Sequence, residues 1–337
     1  MTVHSETTPV RQPQDEEGAR HLIHCPSSWE HYLLDAPSLG EEHFVLVGDL
    51  PVRHPLFNDG PGHFHDAQLA TEAVTEIGAF VGHRYFGVPE DRTGLFHRFT
   101  LQLTELSAWR ADSGASGGFR DGVPRIATEI TAIPTNIMNE VPRCLELRLE
   151  IRIDDILCGR GSAGLIFLMP KLYRKHLATS RRVLREAPEL ADLPEGRPRP
   201  ARPIEVGRSR PENVVVSEPA ADARGRLSTW LLTEGVSPVV AGLQGELTGL
   251  HLLEALRQTA VLAAGRTAGL DPARCTLAAS EVDFRAQAAL DLPLRCLAVP
   301  GPRTHDGHGR PAVPVTLTVT QHRRAVAEAR LTVVQDL

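Results

Sequence analysis

The sequence predicts an α+β protein made of two similar units, each an antiparallel sheet wrapped around one long helix. Three observations predict it: a strongly apolar helix from Leu247 to Leu270, a second copy of that helix 182 residues upstream, and a run of alternating strands after each. The two units are expected to pack as an intramolecular pseudo-dimer.

The helix LTGLHLLEALRQTAVLAAGRTAGL begins at Thr248-Gly249 and stops at Gly269, a residue suited to the left-handed turn that ends helices. Leu252, Leu253, Leu256, Ala260, Ala263 and Ala264 recur at helical spacing and leave little polar surface, so the helix belongs inside a sheet. Glu254, Arg257 and Gln258 nevertheless share one face, at i, i+3 and i+4. Ionised groups are rarely buried without partners, and burying them is costly, so that face calls for a purpose.

The first copy is HDAQLATEAVTEIGAFVGHRYFGVP, read as a helix from Asp66 to Tyr85. At an offset of 182, Glu72-Ala73 matches Glu254-Ala255, Arg84 matches Arg266 and Gly87 matches Gly269. His54-Pro55-Leu56-Phe57 matches Ser237-Pro238-Val239-Val240 at 183, one residue of loop slack. Apolar matches alone could arise by chance; the shared Glu, Arg and Gly with an upstream Pro point to duplication.

The chain divides accordingly. Residues 1–20 form a polar, disordered tail and residues 21–173 the first unit. Residues 174–212 comprise a basic helix and the Pro-rich stretch Pro194–Pro203, read as a stiff linker; residues 213–337 form the second unit. In the first unit strands are expected at Cys25–Leu34, His43–Val47, His97–Leu106, Arg125–Ala132, Cys144–Ile153 and Gly164–Leu168, with a glycine-rich insert at Ser113–Gly118. In the second they fall at Val214–Ser217, Glu281–Ala289, Val313–Thr320 and Ala325–Val334.

Composition bounds the function. A net charge of −6 with no basic face gives no support for nucleic-acid binding. No apolar run suits a membrane span, and the N-terminus lacks a signal peptide's core, so a cytoplasmic protein is expected. Five scattered cysteines without a CxxC pair read as reduced thiols. His63-Phe64-His65-Asp66 lacks a third metal ligand, and Asp66 reads as a helix cap; neither metal nor cofactor is expected. The basic cluster Arg174, Lys175, Arg181, Arg182 and Arg185 reads as a solvated face before it reads as a docking surface for an acidic carrier.

LTGLHLLEALRQTA resembles the central-helix signature of hotdog-fold proteins, and the two-unit layout with HPLF before the first helix resembles the A-factor synthase (AfsA-type) hotdog family. The resemblance implies a tandem double hotdog and an acyltransferase. Such an enzyme joins a β-ketoacyl group, carried as a thioester by acyl carrier protein or coenzyme A, to the hydroxyl of dihydroxyacetone phosphate, on the way to γ-butyrolactone or butenolide signals. It further implies that Glu72, Glu254 and Arg257 are catalytic. Two departures stand out: the first helix continues Glu72-Ala73-Val74-Thr75-Glu76 where the family repeats Arg-Gln, and Gly245-Glu246-Leu247-Thr248-Gly249 lacks the family's Asp-His before the second helix.

The residues themselves suggest how such chemistry would run. Ester formation needs an activated hydroxyl and a stabilised oxyanion. A carboxylate on an apolar helix would have a raised pKa and serve as base, with Glu254 favoured over Glu72 because Arg257, one turn on, could grip a phosphate. Gln258 is expected to assist in binding. Backbone N–H groups at the helix entrances, Gly62-His63 and Gly249-Leu250, are expected to receive a carbonyl or phosphate. The alternatives are a hotdog dehydratase or thioesterase, for which His63 and His65 would matter, and a non-catalytic small-ligand-binding protein. An internal pseudo-dimer needs no further association.

Overall fold

In a computed structural model, the structure describes residues 19–336 apart from 26–29, 37–41, 51–55, 57, 61–62, 112–123, 187–192, 195, 222–224 and 238–246. Residues 1–18 of the tail, the Ser113–Gly118 insert, His54, Gly62 and Gly245-Glu246 therefore lie outside the described residues, the expected tail being cut short by a strand that begins at Ala19, and of Glu72 only the backbone is described.

The first half runs β1 (Ala19–Cys25), β2 (Glu30–Ala36), β3 (His43–Asp49), α1 (Gln68–Tyr85), β4 (Thr93–Leu103), β5 (Arg125–Met138), β6 (Val141–Ile153) and β7 (Ile156–Leu168), followed by α2 (Pro170–Glu186). The second runs β8 (Ala220–Ala221), β9 (Leu227–Trp230), α3 (Gly249–Ala268), β10 (Cys275–Phe284), β11 (Arg295–Pro300), β12 (Thr304–His305), β13 (Pro311–Gln321) and β14 (Arg324–Gln335). The strands join one antiparallel sheet in the order β1-β2-β3-β5-β6-β7-β4-β10-β14-β13-β11-β9-β8, with β12 alongside β13.

The expected helices form where the capping signals place them. Thr248 Oγ1 accepts the His251 N–H at 3.0 Å, and Gly269, at φ 68°, closes α3 in the left-handed conformation. Every residue of α3 from His251 to Ala264 is buried, as its all-round apolar sequence demands. Strand alternation is equally plain: Leu145, Leu147, Leu149, Ile151 and Ile153 of β6 all face the core. The last two strands of each half are joined by two-residue turns with both residues at positive φ, Asp154-Asp155 and His322-Arg323, the geometry that matches strand twist.

Several elements differ from expectation. Val214–Ser217 makes only isolated bridges, Val216 with Leu231 and Ser217 with Pro200, because the Pro-rich segment lies alongside it. That segment is seated on the second half: the Ala201 N–H donates to Val216 O at 3.0 Å and the Glu218 N–H to Arg199 O at 2.7 Å. It then turns through short 3-10 helices at Pro203–Val206 and Pro211–Asn213. Strand β11 was not foreseen.

The seam between the halves is the pairing of β4 with β10, from Ala279 opposite Gln102 to Asp283 opposite Arg98. Each is the strand that follows its half's long helix. An ion pair from Arg98 to Glu281, at 2.7 Å, crosses the seam.

Close packing beside the seam gives a direct test. A Cβ at Gly161 of β7 would lie 2.4 Å from the Thr100 backbone oxygen of β4, whereas one at Gly307 meets nothing within 4 Å. Gly161→Ala should therefore lower stability by about 1–3 kcal/mol and Gly307→Ala by under about 0.5 kcal/mol, read from thermal melts of both variants.

Candidate active site

The site is assembled on Glu254, which α3 holds in the interior at 0% exposure. Its carboxylate accepts five hydrogen bonds from the described residues. Arg208 donates from Nε to Oε1 at 2.9 Å and from Nη2 to Oε2 at 2.8 Å. Arg257 donates from Nε to Oε2 at 2.9 Å and from Nη2 to Oε1 at 2.8 Å. Gln258 Nε2 donates to Oε1 at 2.6 Å. Two guanidiniums thus grip one carboxylate in the bidentate geometry that gives arginine its specificity.

Arg208 is the residue that sequence reasoning missed. It follows the Pro203–Val206 turn, where Gly207 at φ 68° swings the chain inward. The space there is tight: a Cβ on Gly207 would lie 3.4 Å from Arg257 Nη1 and 3.5 Å from Pro272 O. Arg208 is 2% exposed, and besides Glu254 it donates to Leu56 O at 2.9 Å and to Asp66 Oδ2 at 2.8 Å. One side chain from the linker therefore ties the entrance of α1 to the middle of α3. Asp59 braces the same linker, its Oδ2 accepting from the Arg210 N–H at 3.0 Å and Asn213 Nδ2 at 2.8 Å.

Burial alone would push the Glu254 carboxyl up, as expected from sequence, but the charges and hydrogen bonds of Arg208 and Arg257 overcome it and hold the pKa at about 2. The expectation of a raised pKa is thus reversed. Glu254 is a permanent anion whose lone pairs are occupied. Gln258 is equally committed, with Nε2 also donating to Asn213 O at 2.7 Å and Oε1 accepting the Val215 N–H at 2.9 Å. It holds the carboxylate and the backbone at Asn213 and Val215, and it is not among the residues lining the cavity at the seam.

Arg257 does. With Leu253 and Leu256 it lines a cavity of about 80 Å³ at the seam, whose walls include Phe99 and Leu101 of β4, Cys275 and Val282 of β10, and Leu331 of β14. The α1 side contributes His63, His65, Asp66, Gln68 and Thr71. Arg257 spends Nε and Nη2 on Glu254 and Val206 O, while its Nη1 makes no hydrogen bond to a described residue.

The remaining expected residues fall as follows. His63 lines the cavity. Gly249 and Leu250 are not among its lining residues, because α3 meets the seam one turn further along, at Leu253, Leu256 and Arg257. Asp66 does act at the helix entrance, Oδ1 accepting the Gln68 N–H at 3.2 Å. His251 is fully buried, and burial pulls its pKa down to about 4, so it is a neutral packing residue. Among the described residues no His, Cys, Asp and Glu cluster is arranged to hold a metal ion.

Residues 191–335 match the family model described as the A-factor biosynthesis hotdog domain (AfsA). This part of the chain is an A-factor biosynthesis hotdog domain. The chain is 29% identical over 237 residues to the 2-oxo-3-(phosphooxy)propyl 3-oxoalkanoate synthase of Streptomyces griseus, covering 69% of this chain and 71% of that protein. It is 25% identical over 296 residues to the Streptomyces virginiae protein of the same name, covering 86% and 89%. A crystal structure of a putative thioesterase from Novosphingobium aromaticivorans shares the fold at a TM-score of 0.50 and 10% identity, covering 94% of this chain and 98% of that one. The A-factor hotdog domain contains Arg208, Glu254 and Arg257, so the clamp belongs to the matched region.

Because the Glu254 pKa lies below its ordinary value of 4.5, the stability it confers is present above pH 4.5 and is lost as pH falls toward about 2. Glu254→Gln takes the carboxylate partner from the buried Arg257 and leaves Arg208 with Asp66 alone, and should cost about 3–5 kcal/mol at neutral pH. Urea denaturation across a pH series should show that gap closing only as the pH drops through this window.

Proposed function

We propose that this protein is an ester synthase that transfers a 3-oxoacyl group from a thioester to a hydroxyl of dihydroxyacetone phosphate. The name of its relatives describes such an ester, a 3-oxoalkanoate on a 2-oxo-3-(phosphooxy)propyl unit. The observation that carries the reading here is a guanidinium with an uncommitted nitrogen, Arg257 Nη1, on a residue lining a cavity of mixed polar and apolar walls. A rigid cation together with the apolar side chains of Phe99, Leu101, Leu253 and Leu256 suits a substrate pair of a phosphate and an acyl chain.

In this reading Arg257 binds the phosphate of the acceptor. Glu254, Arg208 and Gln258 position that guanidinium and are not themselves proton carriers. Glu72, paired with Glu254 by the offset between the helices, is proposed as a second acid of the site. The thioester is presented by acyl carrier protein or coenzyme A, and the products feed γ-butyrolactone or butenolide signals. No metal or cofactor enters the scheme.

The halves, residues 21–173 and 213–337, are proposed as two hotdog units packed as a pseudo-dimer, in support of which each contributes one long helix and the strands after those helices pair at the seam. The proposed location is the cytoplasm: no helix among the described residues is long and apolar enough to cross a membrane, and Cys144, Cys158, Cys275 and Cys296 are unpaired, in keeping with a reducing compartment.

The test is incubation of the purified protein with a 3-oxoacyl thioester and dihydroxyacetone phosphate, followed by mass spectrometry. A phosphorylated ester is expected; free acid, a dehydrated chain or unchanged substrates would refute the reading. Arg257→Lys, which loses the fork, should lower kcat/KM by about 10- to 150-fold, equivalent to about 1.5–3 kcal/mol, with circular dichroism confirming the fold. Glu72→Gln in the same assay should also reduce turnover.

A further inference from the structure

The clamp explains how an anion is held but leaves the reacting atoms without a base and without an oxyanion donor. Glu254 has no free lone pair, and Asp66 has committed Oδ1 to the Gln68 N–H and Oδ2 to Arg208. The Cys275 thiol is pushed up to about 12 by burial, so it is no nucleophile at neutral pH. Two other polar side chains on the same wall are uncommitted.

Gln68, the first residue of α1, is buried at 7% exposure and lines the cavity, yet its Oε1 has no hydrogen-bond partner among the described residues. Its Nε2 likewise donates to none of them. A sealed amide oxygen without a partner is costly unless a ligand satisfies the group. Because the ends of an amide are nearly isosteric, turning it end for end presents Nε2 to the cavity at no steric cost. The position is favourable for developing negative charge, since it lies at the positive end of an 18-residue helix.

His65 also lines the cavity and is buried at 7% exposure. Its backbone is pinned: the His65 N–H donates to Trp109 O at 2.7 Å, and Phe64 bridges Arg110. Downstream, Asp66 is held by Arg208 and by Asn58, whose Oδ1 accepts the Asp66 N–H at 2.7 Å. The clamp therefore fixes the very segment that carries His65 and Gln68.

Resting on the ester-synthase reading, we infer that His65 is the general base and Gln68 the oxyanion donor of the acyl transfer. The His65 imidazole takes the proton of the acceptor hydroxyl as its oxygen bonds to the thioester carbonyl carbon. The carbonyl oxygen becomes an oxyanion that accepts from Gln68 Nε2. Collapse of the tetrahedral intermediate re-forms the carbonyl and breaks the C–S bond, and the imidazolium returns its proton to the departing thiolate. Burial lowers the His65 pKa from its ordinary 6.5, so the ring is neutral and able to accept a proton at pH 7.

The other titratable or charged groups on the cavity wall are His63 and Asp66 of the same segment, Arg208 from the linker, Arg257 of α3 and Cys275 of β10. They set the controls. Steady-state ester formation should be followed from pH 5 to 9 in the wild type and in His65→Asn, Gln68→Met, His63→Asn and Glu72→Gln. In the wild type the rate should fall on the acid side, below pH 6.5. His65→Asn should lose about 10²- to 10⁴-fold in kcat and also lose that acid limb, which a packing role would not remove. Gln68→Met should lose about 10²- to 10³-fold in kcat, with KM for the thioester within about threefold and the limb intact.

Should the wild type form ester while His65→Asn and Gln68→Met stay within about threefold of it, the synthase reading stands and this assignment falls. The assignment falls equally if the acid limb disappears in His63→Asn or Glu72→Gln and persists in His65→Asn. Absence of ester from the wild type overturns both.

Discussion

A carboxylate sealed from water between two guanidiniums is the constraint on which the rest of this structure depends. Removing Glu254 from solvent is costly, and its attraction to Arg208 and Arg257 overcomes that cost. The arrangement has to be understood by what it holds in place. Arg208 reaches from the linker to Asp66 and Leu56 O ahead of α1, and Arg257 reaches back to Val206 O. Through Gln258 the same carboxylate also orients Asn213 and Val215. Both halves and the segment between them are registered on one buried anion.

The cluster of Glu254, Asp66, Arg208 and Arg257 carries two charges of each sign, so it is neutral as a whole. A neutral cluster exerts little long-range pull on a substrate. What it offers is geometry: the ion pairs immobilise Arg257, which leaves its guanidinium little rotamer entropy to lose.

What was legible in the sequence follows from the range of each interaction. Glu254, Arg257 and Gln258 are neighbours on one helix, so their shared face could be read from spacing alone. The caps of α3 were legible for the same reason, since Thr248 and Gly269 act on adjacent backbone. Arg208 was not, because its partners lie 46 and 142 residues away and its own surroundings, Gly-Arg-Ser-Arg-Pro, read as linker. The pKa of Glu254 was misjudged through that omission: one guanidinium was visible, burial was visible, and the second guanidinium that decides the balance was not. Strand β11 escaped notice because Arg295–Pro300 is short, and its alternation is no stronger than that of the loops beside it.

The two long helices carry different chemistry at matching positions. At the 182-residue offset that aligns Glu72 with Glu254, the places of Arg257 and Gln258 are taken in α1 by Thr75 and Glu76. In the opposite direction, His65, Asp66 and Gln68 correspond to Leu247, Thr248 and Leu250 ahead of and within α3. One half has kept the clamp and made its helix entrance apolar; the other has kept a polar entrance and given up the fork. Because β4 and β10 pair, the polar entrance of α1 and the clamped face of α3 line the same cavity. The pseudo-equivalent pairing, the entrance of α3 with the face of α1, has neither arginine nor histidine at the corresponding positions. A symmetric ancestor with two equal sites would have had to satisfy both roles in each copy. Divided between the halves, the roles place a clamped guanidinium and the polar side chains of His65 and Gln68 on one cavity, while α3 stays as apolar as the core around it.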